Sequence, residues 1–373
     1  MSENSRDGLP VHVVEPTLEG VSGHCLNVVK SLCEAGQGLD FRLWVGRRAK
    51  LPDLAGIASE LHPYFRRQIR KPQAFLLYRK LLRGSGRIVV TTATTLDLYA
   101  LDWGARGVIP PGKVFLYFHQ ARRLNQKKLE RFRRLAARQP NLTVMGTTPA
   151  IEQIFRDSGF ADTATLRLPP GIDAGAFAAQ PTPFRHLLFA GAARADKGVG
   201  AIVDLVEHLA RTGARVPIMV QTCADHYGKY DPETTADLER LRGVTYSPLT
   251  TLPDALPPEA YAAAFAGGIS LQPYKRGEYA NKMSAVILDA LSAGCPVVTI
   301  SGTSMAEIVT RFDAGVVVDE SKPESLWEAC RAIIADYARY QERARHAGAI
   351  LRDENSWAPL VERLRASSRQ SSH

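Results

Sequence analysis

Over almost its whole length, the chain alternates short apolar runs rich in β-branched residues with longer segments of helical periodicity. In the first half the runs are residues 11–14, 41–45, 87–92, 114–118 and 142–146. In the second they are 186–190, 216–221, 244–246, 268–271, 296–300 and 315–318. Runs apolar at consecutive positions, rather than every second one, are strands buried on both faces. Strands that alternate with helices build parallel sheets covered on both sides. A Pro/Gly/Ala-rich stretch from Pro169 to Pro183 has no clear element of its own and separates the two series. The expectation is an α/β chain of two doubly wound, Rossmann-like domains joined by a linker. The domains are placed at residues 1–178 and 179–355, followed by a helical tail at 356–373. Sheets of this kind bind ligands beyond the carboxyl ends of their strands.

Composition narrows the partners. With 373 residues, 45% hydrophobic and 23% charged, the chain reads as a soluble globular protein of two ordinary domains. No apolar run approaches the roughly 20 residues that span a bilayer, and the first residues lack a signal-peptide core. Five cysteines, at 25, 33, 223, 295 and 330, show no Cys-x-x-Cys spacing. That argues for a reducing, cytoplasmic compartment and against a disulfide framework or zinc site. Of the net charge of +9, residues 1–180 contribute 26 Lys/Arg against 15 Asp/Glu, while the remainder has 21 against 23. An anionic partner therefore approaches the first half, with lipid headgroups, a lipid-linked phosphate and RNA as candidates.

Arg66, Arg67, Arg70 and Lys71 form one basic stretch, and Arg122, Arg123, Lys127 and Lys128 open another. In the second, Leu129, Phe132, Leu135 and Ala136 make an apolar stripe among the cations. Two readings stand: a helix lying at the inner, anionic face of a membrane, or a helix packed on its own sheet with a solvated basic exterior. No basic segment with interleaved aromatics points to nucleic acid.

Residues 279–298, Tyr-Ala-Asn-Lys-Met-Ser-Ala-Val-Ile-Leu-Asp-Ala-Leu-Ser-Ala-Gly-Cys-Pro-Val-Val, carry the most chemistry. A polar loop runs into a helix that stops at Gly294, before a buried strand. The amides of Met283, Ser284 and Ala285 at the helix start suit a diphosphate. Asp289 lies one to two turns deeper, within reach of a ribose beside that phosphate; the alternative is a solvated helix carboxylate.

This stretch resembles the donor-binding signature of the retaining glycosyltransferases of family 4, which have the GT-B fold of two domains facing across a cleft. That signature sets two acids eight positions apart, ahead of Gly-x-Pro-Val-Val. Asp289 matches the second acid and Gly294–Val298 the glycine motif, while Asn281 stands where the first acid belongs, with Glu278 as an alternative acid three residues earlier. The resemblance implies that Asn281 orients a sugar hydroxyl and that Lys282 meets phosphate. Three further places agree. Glu19-Gly-Val-Ser-Gly-His24 resembles the family's glycine-rich first loop, with Gly23 the key position, though a simple turn is the alternative. His119, at the end of an apolar strand, resembles the histidine that points at the donor sugar; a structural strand-end role is the alternative. Residues 186–198 end in Asp-Lys197-Gly198, where the family shows Gly-Arg and then Lys-Gly; here Ala192 holds the usual arginine position and Arg194 follows two residues later. Gly302 and Glu307 match a scaffold turn.

The resemblance implies retaining transfer of a sugar from a UDP-, GDP- or ADP-sugar to a glycan or lipid-linked acceptor, without metal or other cofactor. Arg194, Lys197 and Lys282 would stabilise the leaving diphosphate, and His119 would orient the sugar. The rival readings are an epimerase of the same fold, a GT-B protein that binds a nucleotide or partner without turnover, and a glycosyltransferase acting on RNA or a small molecule.

Overall fold

The computed structural model describes residues 9–20, 24–121, 125–172, 181–224 and 230–369. They divide into two units: residues up to Pro169 together with those from Asn355 onward, and Pro170–Glu354. Gly23, Arg122 and Arg123 lie outside the described residues.

The first unit contains β1 (Val11–Glu15), α1 (His24–Ala35), β2 (Phe41–Gly46), β3 (Glu60–Phe65), α2 (Arg70–Arg83), β4 (Arg87–Val90), α3 (Thr95–Gly104), β5 (Val114–Phe118), α4 (Gln126–Arg138), β6 (Thr143–Gly146), α5 (Pro149–Asp157) and β7 (Asp162–Thr165). Its seven strands run parallel in the order β3-β2-β1-β4-β5-β6-β7. The order reverses between β1 and β4, so the carboxyl ends of those two strands form a switch point. Strands β3 and β7 were not expected from the sequence. Both are edges: β3 carries Pro63 and is mostly exposed, and β7 reads Asp-Thr-Ala-Thr and is only half-buried. An edge strand needs one apolar partner at most, and charge or proline protects its open side.

The apolar stripe of α4 belongs to this unit's core. Phe132, Leu135 and Ala136 are buried in a cluster that includes Phe118, Phe155 and Phe160, while Leu129 is half-buried. Each large side chain so buried contributes on the order of 2 kcal/mol. The membrane-lying reading of α4 is corrected on this point: its apolar side is already covered by the core of its own unit, with Phe132 against Tyr99, Phe155 and Phe160, which leaves an exposed basic exterior.

The second unit contains β8 (His186–Phe189), α6 (Val199–Thr212), β9 (Ile218–Gln221), α7 (Pro232–Gly243), β10 (Leu249–Leu252), α8 (Pro258–Ala263), β11 (Gly268–Gln272), α9 (Arg276–Tyr279), α10 (Ala285–Ser292), β12 (Val297–Ile300), α11 (Ser304–Phe312), β13 (Gly315–Val318), α12 (Pro323–Ala335) and α13 (Tyr337–Glu354). Its parallel order is β10-β9-β8-β11-β12-β13, with the switch point between β8 and β11. The strand expected at 244–246 is instead the link from α7 to β10. Tyr246 spends its hydroxyl on the backbone of Val216, accepting from the amide at 3.0 Å and donating to the carbonyl at 2.7 Å. The chain joins the ladder only at Pro248, whose carbonyl accepts from Ile218 N at 3.1 Å.

After Glu354 the chain returns to the first unit as α14 (Ala358–Arg369). Asn355 Nδ2 donates to the Leu168 carbonyl at 3.0 Å, and buried Trp357 donates to Ser31 Oγ at 2.8 Å and packs edge-on to Tyr117.

Candidate functional site

The cations singled out in the second unit meet beyond the carboxyl ends of β8 and β11. Leaving β8, the chain turns at Gly191, whose amide donates to Gln221 Oε1 at the end of β9, at 2.6 Å. A single helical turn, Ala195–Lys197, follows and leads into α6 through Gly198. Gly198 has φ +75°, and a Cβ there would lie 2.1 Å from the Pro273 carbonyl oxygen. Only glycine lets this turn lie so close to the end of β11. A Cβ on Gly191 would likewise meet Lys197 Nζ at 2.7 Å.

Asp196 is the hub. Arg194 Nε donates to Asp196 Oδ1 at 2.7 Å, and its Nη2 donates to Asp196 Oδ2 and, at 3.1 Å, to the Tyr279 hydroxyl. Lys282 Nζ lies 3.7 Å from Asp196 Oδ2 and sits over the Tyr279 ring at 4.7 Å. Lys197 Nζ lies over Tyr274 at 5.8 Å. Three cations thus face Asp196, with the Glu278 charge also acting on Lys282, and the half-buried cluster keeps positive charge in excess. Burial opposes ionisation of Asp196, but the Arg194 hydrogen bond and the charges of Arg194, Lys282 and Lys197 outweigh it and hold the carboxyl below its ordinary range. Burial, and then the Arg194 charge, push the Lys197 amine down to about 8. The same two causes lower Lys282. A cluster with unspent positive charge and partly dehydrated amines is suited to an anion.

The loop 280–284 brings the remaining candidates alongside. Asn281 is exposed, and Met283 and Ala285 are half-buried. Ser304 Oγ donates to the Lys282 carbonyl at 2.7 Å and fixes the loop from the start of α11. Ser284 caps α10, its hydroxyl accepting from Val286 N at 3.3 Å and lying 3.4 Å from the Tyr274 hydroxyl. Asp289, one turn on, is only 4% exposed, so it is not a solvated helix carboxylate. Its Oδ1 accepts from Gly171 N at 2.7 Å and its Oδ2 from the Tyr261 hydroxyl at 3.1 Å. Burial raises its carboxyl to about 6. Each oxygen keeps lone-pair capacity for a further donor.

Other expected residues stand apart from this cluster. Glu307 is exposed on the first turn of α11. His119 belongs to the first unit, past the end of β5, with Nε2 2.8 Å from the Thr91 carbonyl oxygen and its ring edge-on to Tyr117. Arg66, Arg67, Lys71, Lys127 and Lys128 are exposed on the first unit, and Arg70 is half-buried at the start of α2. Among the described residues, no group of three or more His, Cys, Asp or Glu could hold a metal ion. No helix among them is long and apolar enough to cross a membrane, and all five cysteines are free thiols.

Sequence reasoning passed over several polar groups. Asp196 lay inside the quoted motif, but nothing marked it as the partner of Arg194. Tyr261, Tyr274, Tyr279 and Gln221 gave no local signal beyond strand-end or helix positions. In the first unit Glu15, at the end of β1, is fully buried and accepts from Thr17 Oγ1 at 2.6 Å, Thr92 Oγ1 at 2.7 Å and Thr91 Oγ1 at 2.8 Å. Burial raises its carboxyl. A single glutamate at the end of an apolar run was the only clue.

Residues 185–336 match the sequence model of the family described as Glycosyl transferases group 1. That span includes the whole cation cluster. A comparison with curated protein sequences gives no match. Among solved structures, HepE of Anabaena in complex with UDP-glucose superposes with a TM-score of 0.69 at 15% identity, over 96% of this chain and 99% of its own. Sucrose-phosphate synthase from Thermosynechococcus elongatus gives 0.68 at 15% identity, over 97% and 98%. WaaG, a glycosyltransferase involved in lipopolysaccharide biosynthesis, gives 0.60 at 16% identity, over 91% and 95%. The chain has a GT-B-like fold.

Proposed function

We propose that the protein is a retaining glycosyltransferase that moves a sugar from a nucleotide-diphospho-sugar to a glycan or lipid-linked acceptor. One observation carries this reading: Arg194, Lys197 and Lys282 gather at the switch point of the second sheet with more positive charge than Asp196 neutralises. In this reading a diphosphate accepts hydrogen bonds from Lys197 and Lys282 and draws Arg194 away from Asp196. The developing charge on the leaving group is then held by fixed cations and first-turn amides of α10. Asp289 contributes a ribose contact beside Tyr261, and Asn281 and His119 orient the sugar. No divalent metal is part of the scheme. The family match over residues 185–336 and the UDP-glucose in the HepE crystals support a UDP-sugar as the first donor to try.

The test is a thermal-shift screen over UDP-, GDP- and ADP-sugars, followed by release of nucleoside diphosphate with candidate acceptors. Binding at a hundredfold excess over Kd should stabilise the protein by about 2.7 kcal/mol. If Lys197→Ala and Asp289→Ala both keep full donor binding and turnover, the assignment is wrong.

A second reading, nucleotide binding without turnover, is favoured by the forked Arg194–Asp196 pair, which already occupies the guanidinium. Donor binding without product release under any acceptor would decide for it.

A further inference from the structure

At the switch point of the first sheet, where the carboxyl ends of β1 and β4 part, stands a carboxyl group that the chemistry above does not use. Val11, Val13 and Glu15 alternate along β1 and share one face of the sheet. A strand that needed only packing there would end in another valine. It ends instead in a fully buried glutamate that spans two loops. Glu15 Oε1 accepts from Thr17 N at 3.3 Å and Thr17 Oγ1 at 2.6 Å, just past β1. Its Oε2 accepts from Thr91 Oγ1 at 2.8 Å and Thr92 Oγ1 at 2.7 Å, just past β4. These donors are an amide and three hydroxyls, and among the described residues no cation pairs with the carboxyl. Its effect is to tie one loop to the other.

What the tie holds in place is the Thr91 carbonyl. Thr91 N donates to Val14 O at 3.3 Å and Ala93 N to Tyr117 O at 2.9 Å, so the turn is strung between β1 and β5. The bonds from Thr91 and Thr92 to Glu15 fix how that turn rotates. The Thr91 carbonyl oxygen lies 2.8 Å from His119 Nε2. A carbonyl can only accept, so Nε2 carries a proton, and in the neutral ring Nδ1 is then the accepting nitrogen. The Tyr117 ring stands edge-on to the imidazole, 4.7 Å away between centroids, and limits its swing. A histidine whose tautomer is set by one carbonyl depends on whatever sets that carbonyl.

We propose that Glu15 is a positioning residue for sugar transfer: through the Thr91 carbonyl it sets the tautomer and orientation of His119, without touching substrate itself. The inference rests on the reading above, in which His119 orients the sugar. In that role a sugar hydroxyl donates to Nδ1. A ring in the other tautomer would present an N–H there and require the same hydroxyl to accept, which turns the sugar.

Imidazole nitrogen NMR of the full chain reads the tautomer directly, with the His119 signals identified by their loss in His119→Gln. The wild type should show a protonated Nε2 and an unprotonated Nδ1. Glu15→Ala and the milder Thr91→Val should mix the two tautomers, while Glu15→Gln, which still reaches both loops, should keep the wild-type pattern. Turnover adds a split that a merely structural role would not give. Glu15→Ala and Thr91→Val should each lower kcat about tenfold with donor Kd nearly unchanged. Neither should lower it further in a His119→Ala background, because residues that act as a unit are not additive. Two results would overturn the proposal. One is a His119 tautomer indifferent to both Glu15→Ala and Thr91→Val in variants that still melt cooperatively. The other is kcat losses of Glu15→Ala and His119→Ala that multiply in the double variant. Absence of turnover with every donor sugar would remove the glycosyltransferase reading and the role in transfer with it, while the imidazole spectra would still show whether Glu15 sets His119.

Discussion

Asp289→Asn should make the protein more stable at neutral pH while weakening donor binding. The carboxyl is buried, and its pKa stands at about 6 instead of 3.8. At 1.36 kcal/mol per pH unit, keeping it ionised in the folded state costs about 3 kcal/mol well above pH 6. The sign follows from the raised value. Asp289 contributes most to stability below the unfolded pKa of 3.8, and that contribution is lost as pH rises through about 6. Asparagine keeps an acceptor for Gly171 N, and its amide can donate to the Tyr261 oxygen, while the charge is removed. Measured at a single pH, the substitution mixes this gain with packing changes. The difference between about pH 4.5 and pH 8 cancels them and should be roughly 2 kcal/mol in favour of the variant. Urea midpoints of both proteins at both pH values give this number. Equal effects of the substitution at the two pH values would refute the assignment of a buried, costly charge. Stabilisation with undiminished donor affinity would refute the ribose role and leave the burial argument standing.

Lys197 should make donor affinity pH-dependent. Its amine is pushed down to about 8, so it is cationic below that pH, and nucleoside diphosphate binding should weaken as pH rises through it; calorimetry should find this slope absent in Lys197→Ala. Gly198→Ala places a Cβ 2.1 Å from the Pro273 oxygen at φ +75°, and should cost about 2 kcal/mol or more in urea midpoint while displacing Lys197. Glu15→Ala leaves the hydroxyls of Thr17, Thr91 and Thr92 without their acceptor and should destabilise by about 3 kcal/mol. Glu15→Gln should cost less, and the raised carboxyl means that wild type loses stability relative to it as pH rises.

The buried strands were legible because complete burial on both faces leaves an unbroken apolar run. The edges were not, since β3 and β7 owe their place to backbone pairing with a neighbour, and their side chains record little of it. Residues 244–246 misled because Val244 and Tyr246 look like a strand, while the tyrosine hydroxyl in fact stands in for ladder bonds. In the second unit, Lys197, Lys282 and Asp289 could be singled out from local motifs, as each sits at a loop or helix start. What their neighbours do to them could not be. The Arg194–Asp196 fork, the tyrosines beneath the lysines and the amides that occupy Asp289 depend on segments up to 118 positions apart. The apolar stripe of α4 was visible but ambiguous, because a helix needs one covered side whether lipid or protein covers it.

The return of the chain at Asn355 has a consequence for biosynthesis. The first unit lacks its last helix until the ribosome has made all of the second, residues 170–354. At 5–20 residues per second this takes roughly 10–40 s, during which the pocket for Trp357 beside Ser31 and Tyr117 stands open. The inserted half can therefore mature first, leaving its host as the half that nascent-chain chaperones must shield.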